Sequence, residues 1–132
     1  MKPFVLPVTA DDATTAFFAA TADGTFPLHR CLDCGAVSGP NERVCPVCRS
    51  GSYEQIAAAG TGEVVSFTVQ HSKPGPDGTT HRLTVAIIGL DEGPWWWTQL
   101  VAPPEEVHVG MRVRLEMVRP EGGESVPVAL PA

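Results

Sequence analysis

From Gly60 onward the apolar residues fall into five runs: GEVVSFTVQHS, HRLTVAIIGLDEG, PWWWTQLVA, MRVRLEMVRP and ESVPVALPA. Each holds a stretch of about 5–9 residues rich in Val, Ile, Thr or aromatics and bounded by Gly, Pro or Asp, which is the pattern of strands. The separators SKPGPDGTTH, DEGP and APPEEVHVG carry turn and loop chemistry. EEVHVGMRV reads as a loop or single helical turn entering a strand, with Gly110 supplying the unusual backbone angle. Five strands with irregular turns and no second long helix predict a small closed β-barrel.

The pattern upstream is different. In TADDATTAFFAATADGT the residues Thr9, Asp11 and Asp12 offer caps, Ala13 to Ala22 favour helix, and Gly24 ends it. Phe17 and Phe18 are adjacent, so on that helix they point about 100° apart. One packs on the body of the protein while the other is free to face something else; the plainer alternative is that both pack inward. Between helix and barrel, FPLHRCLDCGAVSGPNERVCPVCRSGS holds all four cysteines. The expected layout is a helical segment over 1–25, a cysteine module over 26–55 and a barrel over 56–132.

Composition narrows the functions. The 132 residues are 43% hydrophobic, enough for a core, and 13 Gly with 13 Pro favour turns and short strands over long helices. Nine Lys+Arg against fifteen Asp+Glu leave a net charge of -6. Only Lys73 and Arg82 are cationic between residues 50 and 111. Phosphate neutralisation dominates nucleic-acid affinity, so this balance argues against DNA or RNA. Prolines and acids interrupt MKPFVLPVTADD before an apolar leader segment forms, and no apolar run approaches a membrane span. The expected location is cytoplasmic, where paired thiols hold metal rather than disulfides.

Two Cys-x-x-Cys pairs, separated by a ten-residue insert, ask for an ion. Each pair supplies two thiolates from one tight knuckle, and two knuckles complete a tetrahedron around Zn²⁺. The expected ligands are Cys31, Cys34, Cys45 and Cys48. Iron in a rubredoxin-like site is the competitor, since the same ligands accept it. Gly35 follows the first knuckle, where a positive φ turns backbone N–H groups toward sulfur; Arg49 holds the matching place in the second, an imperfection that Gly51 would offset. The insert predicts a hairpin turning at SGPNE. Four thiolates close the coordination shell, so the ion is structural and Lewis-acid hydrolysis is not expected of it. His29, nearby, is expected to be a strand residue or a partner outside the shell.

No catalytic pattern emerges. Histidines 29, 71, 81 and 108 are scattered, and nucleophile-elbow, phosphate-loop and dinucleotide fingerprints do not occur. The pairs Asp91-Glu92 and Glu105-Glu106 sit in solvated, turn-like contexts. In PWWWTQL, strand alternation puts Trp95 and Trp97 on one face and Trp96 on the other. A small barrel cannot swallow three indoles, so at least one belongs at the surface, where Trp is enriched in interaction hot spots.

Taken in order, LHRCLDCG, VCPVC, GTGEVVSFTVQH, LTVAIIGLDEGPWWWTQLV and VHVGMRVRLEM resemble the DUF35 family, over about Phe17 to Pro131. The resemblance implies a mainly β fold: a short N-terminal helix, a rubredoxin-like zinc ribbon and a five-stranded OB-fold barrel. It also implies a non-catalytic accessory subunit of an acyl-CoA-processing complex, docked on a thiolase-like partner (thiolase, aldolase or ketosynthase) that carries the catalysis, and helping to form the CoA-ester channel. Expected docking residues are Phe17, Phe18, Trp95, Trp96 and Trp97. The barrel mouth around Gln70, His71, Lys73 and Arg82 is a candidate CoA-facing surface, solvated loop charge being the bland alternative. Competing readings are a partner of a hot-dog-fold acyl-CoA hydratase, a zinc-ribbon/OB-fold nucleic-acid binder, and a stand-alone enzyme or rubredoxin-like electron carrier.

Overall fold

Asp11 and Thr14 organise the first element by exchanging hydrogen bonds: the Thr14 amide donates to Asp11 Oδ1 at 3.0 Å and the Asp11 amide to Thr14 Oγ1 at 2.9 Å. The helix that follows, α1 (Thr15–Ala22), stops at Gly24, whose φ of +81° only glycine adopts freely. Of the offered caps, Asp11 orders the turn that leads into the helix, whose own N-cap residue is Thr14 and makes no side-chain cap bond. A computed structural model describes residues 5–132; Met1–Phe4, where the stretch read for a leader begins, lie outside the described residues.

Thr21 anchors α1 to the rest of the molecule, its hydroxyl donating to the Ser125 carbonyl at 2.7 Å. Next come β1 (Pro27–Cys31), β2 (Val37–Ser38) and β3 (Tyr53–Ala57), an antiparallel sheet in the order β2-β1-β3. A turn closes after β2 with the Glu42 amide on the Gly39 carbonyl at 3.2 Å, but no strand returns from it, so the expected hairpin at SGPNE does not form; β2 pairs instead with β1, across the first knuckle.

The five apolar runs are five strands: β4 (Thr61–His71), β5 (Arg82–Leu90), β6 (Trp95–Leu100), β7 (Arg112–Val118) and β8 (Val126–Pro131). They close into a barrel in the order β4-β5-β6-β8-β7, with β7 returning to β4. Only β6 and β8 run parallel. A short 3₁₀ turn, Pro104–Glu106, and Gly110 at φ +88° fill the connection before β7. The fold is therefore mainly β, with one short helix, a zinc-ribbon region and a five-stranded OB-type barrel.

Alternation along β5 sets the core. Thr84, Ala86, Ile88 and Leu90 point inward and are buried, while the odd positions face outward. Val64, Leu100, Val113 and Ala129 meet them from the other strands. Phe26 and Leu28, the entry to the ribbon, belong to this same cluster, so ribbon and barrel share one core. Each buried Val, Leu, Ile or Phe side chain among them contributes about 1.5–3 kcal/mol by leaving water. β4 bends sharply to pair with both β5 and β7; Gly62 sits in that bend, where an added Cβ would stand 2.4 Å from the Gly89 carbonyl oxygen. A bulge between Val64 and Ser66 takes up the remaining curvature.

Candidate metal centre, docking face and cleft

The two knuckles bring the Cys31, Cys34, Cys45 and Cys48 sulfurs within 4.8 Å of one another. Cys31 and Cys48 stand 3.5 Å apart, as do Cys34 and Cys45. A tetrahedron with Zn–S bonds of about 2.3 Å has edges of roughly 3.8 Å, so the four thiols fit that ion. The Val47 and Cys48 amides point at the Cys45 sulfur from 3.4 and 3.5 Å. Amides of this kind hold two thiols below the ordinary range. Cys31 is lowered to about 6, chiefly by the Cys34 N–H, and Cys45 is lowered chiefly by the Cys48 N–H. For Cys48 the Ser50 N–H works in the same direction, but the neighbouring sulfurs and burial together push it up to about 12. Such crowding of negative sulfur is what a divalent cation relieves. The centre is a structural zinc site.

The second knuckle departs from expectation. Gly35 and Arg49 occupy equivalent places, with their amides donating to the Cys31 and Cys45 carbonyls at 3.0 and 2.8 Å. Arg49 itself takes the left-handed angle, φ +65°, the one non-glycine residue to do so among those described. Gly51 does not substitute for it. The turn needs its left-handed residue immediately after the second cysteine, where the amide reaches back to the first; two positions later is too far along the chain. His29 lies outside the shell in β1, its ring stacked on Tyr53 at 3.9 Å and its Nδ1 2.8 Å from the Glu42 carbonyl.

The aromatic residues divide. Trp96 points inward to the helix and stacks on Phe17 at 5.5 Å, with Phe26 set edge-on at 5.0 Å. Phe18 leans edge-on against Phe17 at 5.2 Å and is half-buried. Phe17 and Trp96 therefore join α1, ribbon and barrel to one another. Trp95 and Trp97 emerge on the opposite face of β6, each 64% exposed. Beside Trp95 lies a shallow groove of about 530 Å³, walled by Val65 and Gly89 and extended by Val109, itself 65% exposed. Val109 was not expected at this surface; its position in a loop gave no strand alternation to read.

At one end of the barrel a cleft of about 770 Å³ opens between the β4–β5 loop and the segment after β6. Gln70, His71 and Arg82 line it, joined by His81. Lys73 is exposed in the adjacent loop and is not among the lining residues. Arg82 is engaged by Glu105 at 2.6 Å, and this guanidinium holds the Glu105 carboxyl below its usual value. Most of the remaining wall is apolar, formed by Leu83, Leu100, Val101, Ala102 and Pro103. No described helix is long and apolar enough to cross a membrane.

Comparison with known proteins places this geometry. The ChsH2 rubredoxin-like zinc ribbon domain matches residues 18–54, and the ChsH2 C-terminal OB-fold domain matches residues 55–118. The chain is 34% identical over 134 residues to the probable enoyl-CoA hydratase alpha subunit of Thermomonospora curvata, covering 99% of this chain but only 42% of that protein. It is also 34% identical over 101 residues to a DUF35 domain-containing scaffold protein of Methanocaldococcus jannaschii, 74% of this chain and 72% of that one. A chain of the solved Ltp2-ChsH2(DUF35) aldolase superposes with a TM-score of 0.80 at 30% identity, covering 94% of this chain and 98% of that one. With a tetrathiolate ribbon leading into a five-stranded barrel, and with these relatives, the chain belongs to the DUF35 family.

Proposed function

We propose that this chain is a non-catalytic accessory subunit that docks on a thiolase-like, acyl-CoA-processing enzyme and helps to form its CoA-ester channel. The likeness to a nearly full-length chain of an Ltp2-ChsH2(DUF35) aldolase carries the reading. Two observations support it. A closed tetrathiolate shell serves folding rather than Lewis-acid chemistry, which leaves the reaction to the partner. Trp95, Trp97 and Val109 are large apolar side chains left exposed, of the kind enriched in protein interfaces. Phe18, half-buried on α1, is a further candidate contact, whereas Phe17 and Trp96 act by holding the helix in place. The metal ligands are Cys31, Cys34, Cys45 and Cys48, and the setting is cytoplasmic, where these thiols stay reduced.

Co-expression with a thiolase-like enzyme encoded beside this chain tests the reading. A stable complex is expected, and the W95A/W97A pair is expected to weaken it by about 30-fold or more while leaving the isolated chain folded. Failure of the wild-type chain to co-purify, with partner activity indifferent to it, overturns the proposal. A second reading, a hydratase partner, is favoured by the Thermomonospora curvata relative and is tested by the same pull-down with a hot-dog-fold hydratase. Nucleic-acid binding is disfavoured by the net charge of -6; salt-sensitive capture of single-stranded oligonucleotides would revive it.

A further inference from the structure

The barrel is closed between β6 and β8 by a single residue pair, Leu100 against Ala129, whereas β6 pairs with β5 along its whole length. The β5–β6 hairpin fixes which way each main-chain group of β6 points. The Leu90 amide donates to the Pro94 carbonyl at 2.9 Å, so antiparallel alternation turns the N–H and C=O of Trp96, Thr98 and Leu100 toward β5. Those of Trp95, Trp97, Gln99 and Val101 point to the β8 side, where the Val101 amide donates to the Ala129 carbonyl at 2.8 Å.

Pro127 stops that ladder short of the tryptophans. The rung to the Trp97 carbonyl needs an N–H from Pro127, and proline has none; the Pro127 carbonyl accepts from the Thr98 hydroxyl at 2.7 Å. Among the described residues no group of β8 pairs with the main chain of Trp95 or Trp97. Exposed strand edges are ordinarily guarded by charge, proline or shortness. The edges of the ribbon sheet follow that rule: β2 is two residues long, and β3 carries Glu54, paired with Arg30. The β6 edge has a proline only at its entry, and Gly93 to Pro104 holds no charged residue. Val85, Ile87 and Gly89, which stand opposite Gln99, Trp97 and Trp95 on β5, add none.

The open edge constrains whatever covers the exposed indoles. A partner that met Trp95 and Trp97 through side chains alone would strip water from their amides and carbonyls without replacing those bonds. A strand replaces them with its own main chain. We propose that β6 is completed by strand addition: an extended, uncharged segment of the enzyme partner pairs with the main chain of Trp95 and Trp97 and lays alternate side chains against their indoles. The identity of the occupant rests on the accessory-subunit reading above; the open edge does not.

Amide hydrogen exchange on the full-length, zinc-loaded chain, alone and in complex with the co-expressed thiolase-like enzyme, is quenched and read residue by residue. In the isolated chain Trp95 and Trp97 are expected to exchange freely and Trp96 slowly; in the complex the first two are expected to slow about tenfold or more. A second measurement compares Trp97→Ala with Trp97→Pro. Both remove the indole, but only the second removes the edge amide, which bonds nothing in β5. W97P is therefore expected to fold as W97A does and to weaken the complex about tenfold beyond it. Slow exchange at Trp95 and Trp97 in the isolated monomer, no slowing of either in the complex, or equal affinity of two folded variants each overturns the inference. Slowing that accompanies self-association of the chain alone makes a second copy the occupant, and overturns it too. The exchange result stands whether or not W97P folds. A complex whose edge amides stay fast sinks strand addition and leaves docking intact; no complex at all sinks docking and this occupant with it.

Discussion

The ribbon and the barrel reach stability by different routes. Ala86, Ile88, Val113 and Ala129 are wholly buried in the barrel, where strand alternation gives five strands one common interior. The segment from Leu32 to Gly51 has far less to bury: Leu32, Val44 and Val47 are exposed, and Cys45 and Ser38 are its buried residues. Four sulfurs do there what apolar packing does in the barrel. The two routes meet at Phe26 and Leu28, which enter the barrel core from the start of the ribbon. A metal-held segment can thus be rigidly positioned against a barrel without owning a core.

The sharpest way to break this contrast is to remove a ligand. Cys45→Ser, or zinc chelation, is expected to abolish hydrogen-exchange protection from Cys31 to Ser52, while amides of β5 around Ile88 stay protected. Structural zinc in small peptides supplies on the order of 10 kcal/mol, far more than the local packing here could replace. If the barrel unfolds together with the ribbon, the two are not separable units.

The converse is Ile88→Ala, which leaves a cavity at the barrel centre. A loss of about 2–5 kcal/mol in urea unfolding is expected, with zinc content of the folded protein unchanged. Stoichiometric zinc loss on that substitution would show that the core also builds the metal site.

A smaller effect sharpens the description of the barrel itself. Gly62→Ala places a methyl against the Gly89 carbonyl, which belongs to backbone and cannot swing aside. About 1–3 kcal/mol of destabilisation follows, measured by the same urea midpoint, with no change at the ribbon amides. Equal stability would mean that β4 bends less tightly than its pairing implies.

The smallest effect is electrostatic. Arg112 grips Asp91 through two bonds of 2.9 Å, and that guanidinium, with the Thr61 hydroxyl, holds the Asp91 carboxyl at about 2 against an ordinary 3.8. A depressed carboxyl stabilises the fold above its unfolded value, and the contribution disappears as pH falls from about 4 through 2. Because the pair is exposed, a shift of only about one or two degrees in melting temperature is expected across that window. Asp91→Asn should flatten that part of the profile. An unchanged profile would show the pair contributing nothing.

Strands and thiols were legible for a simple reason: each follows from near neighbours in the chain. Runs rich in β-branched and aromatic residues, bounded by Gly, Pro or Asp, marked all five barrel strands within about three residues, and Cys-x-x-Cys spacing located the knuckles. The parity of PWWWTQL correctly set Trp95 and Trp97 opposite Trp96. Parity could not say which face was the inner one. That followed from α1 laying Phe17 against Trp96, a contact between residues almost eighty positions apart.

Local chemistry in the chain therefore determined the metal shell, the strand set and the alternation of faces, because thiolate geometry and pleat period act over a few residues. Tertiary structure decided the rest: which indoles remained outside, that Arg82 would be met by Glu105, and that the Thr84 hydroxyl would be enclosed without a partner. Those outcomes depend on how a barrel closes, and closure joins strands whose side chains carry no sequence record of one another.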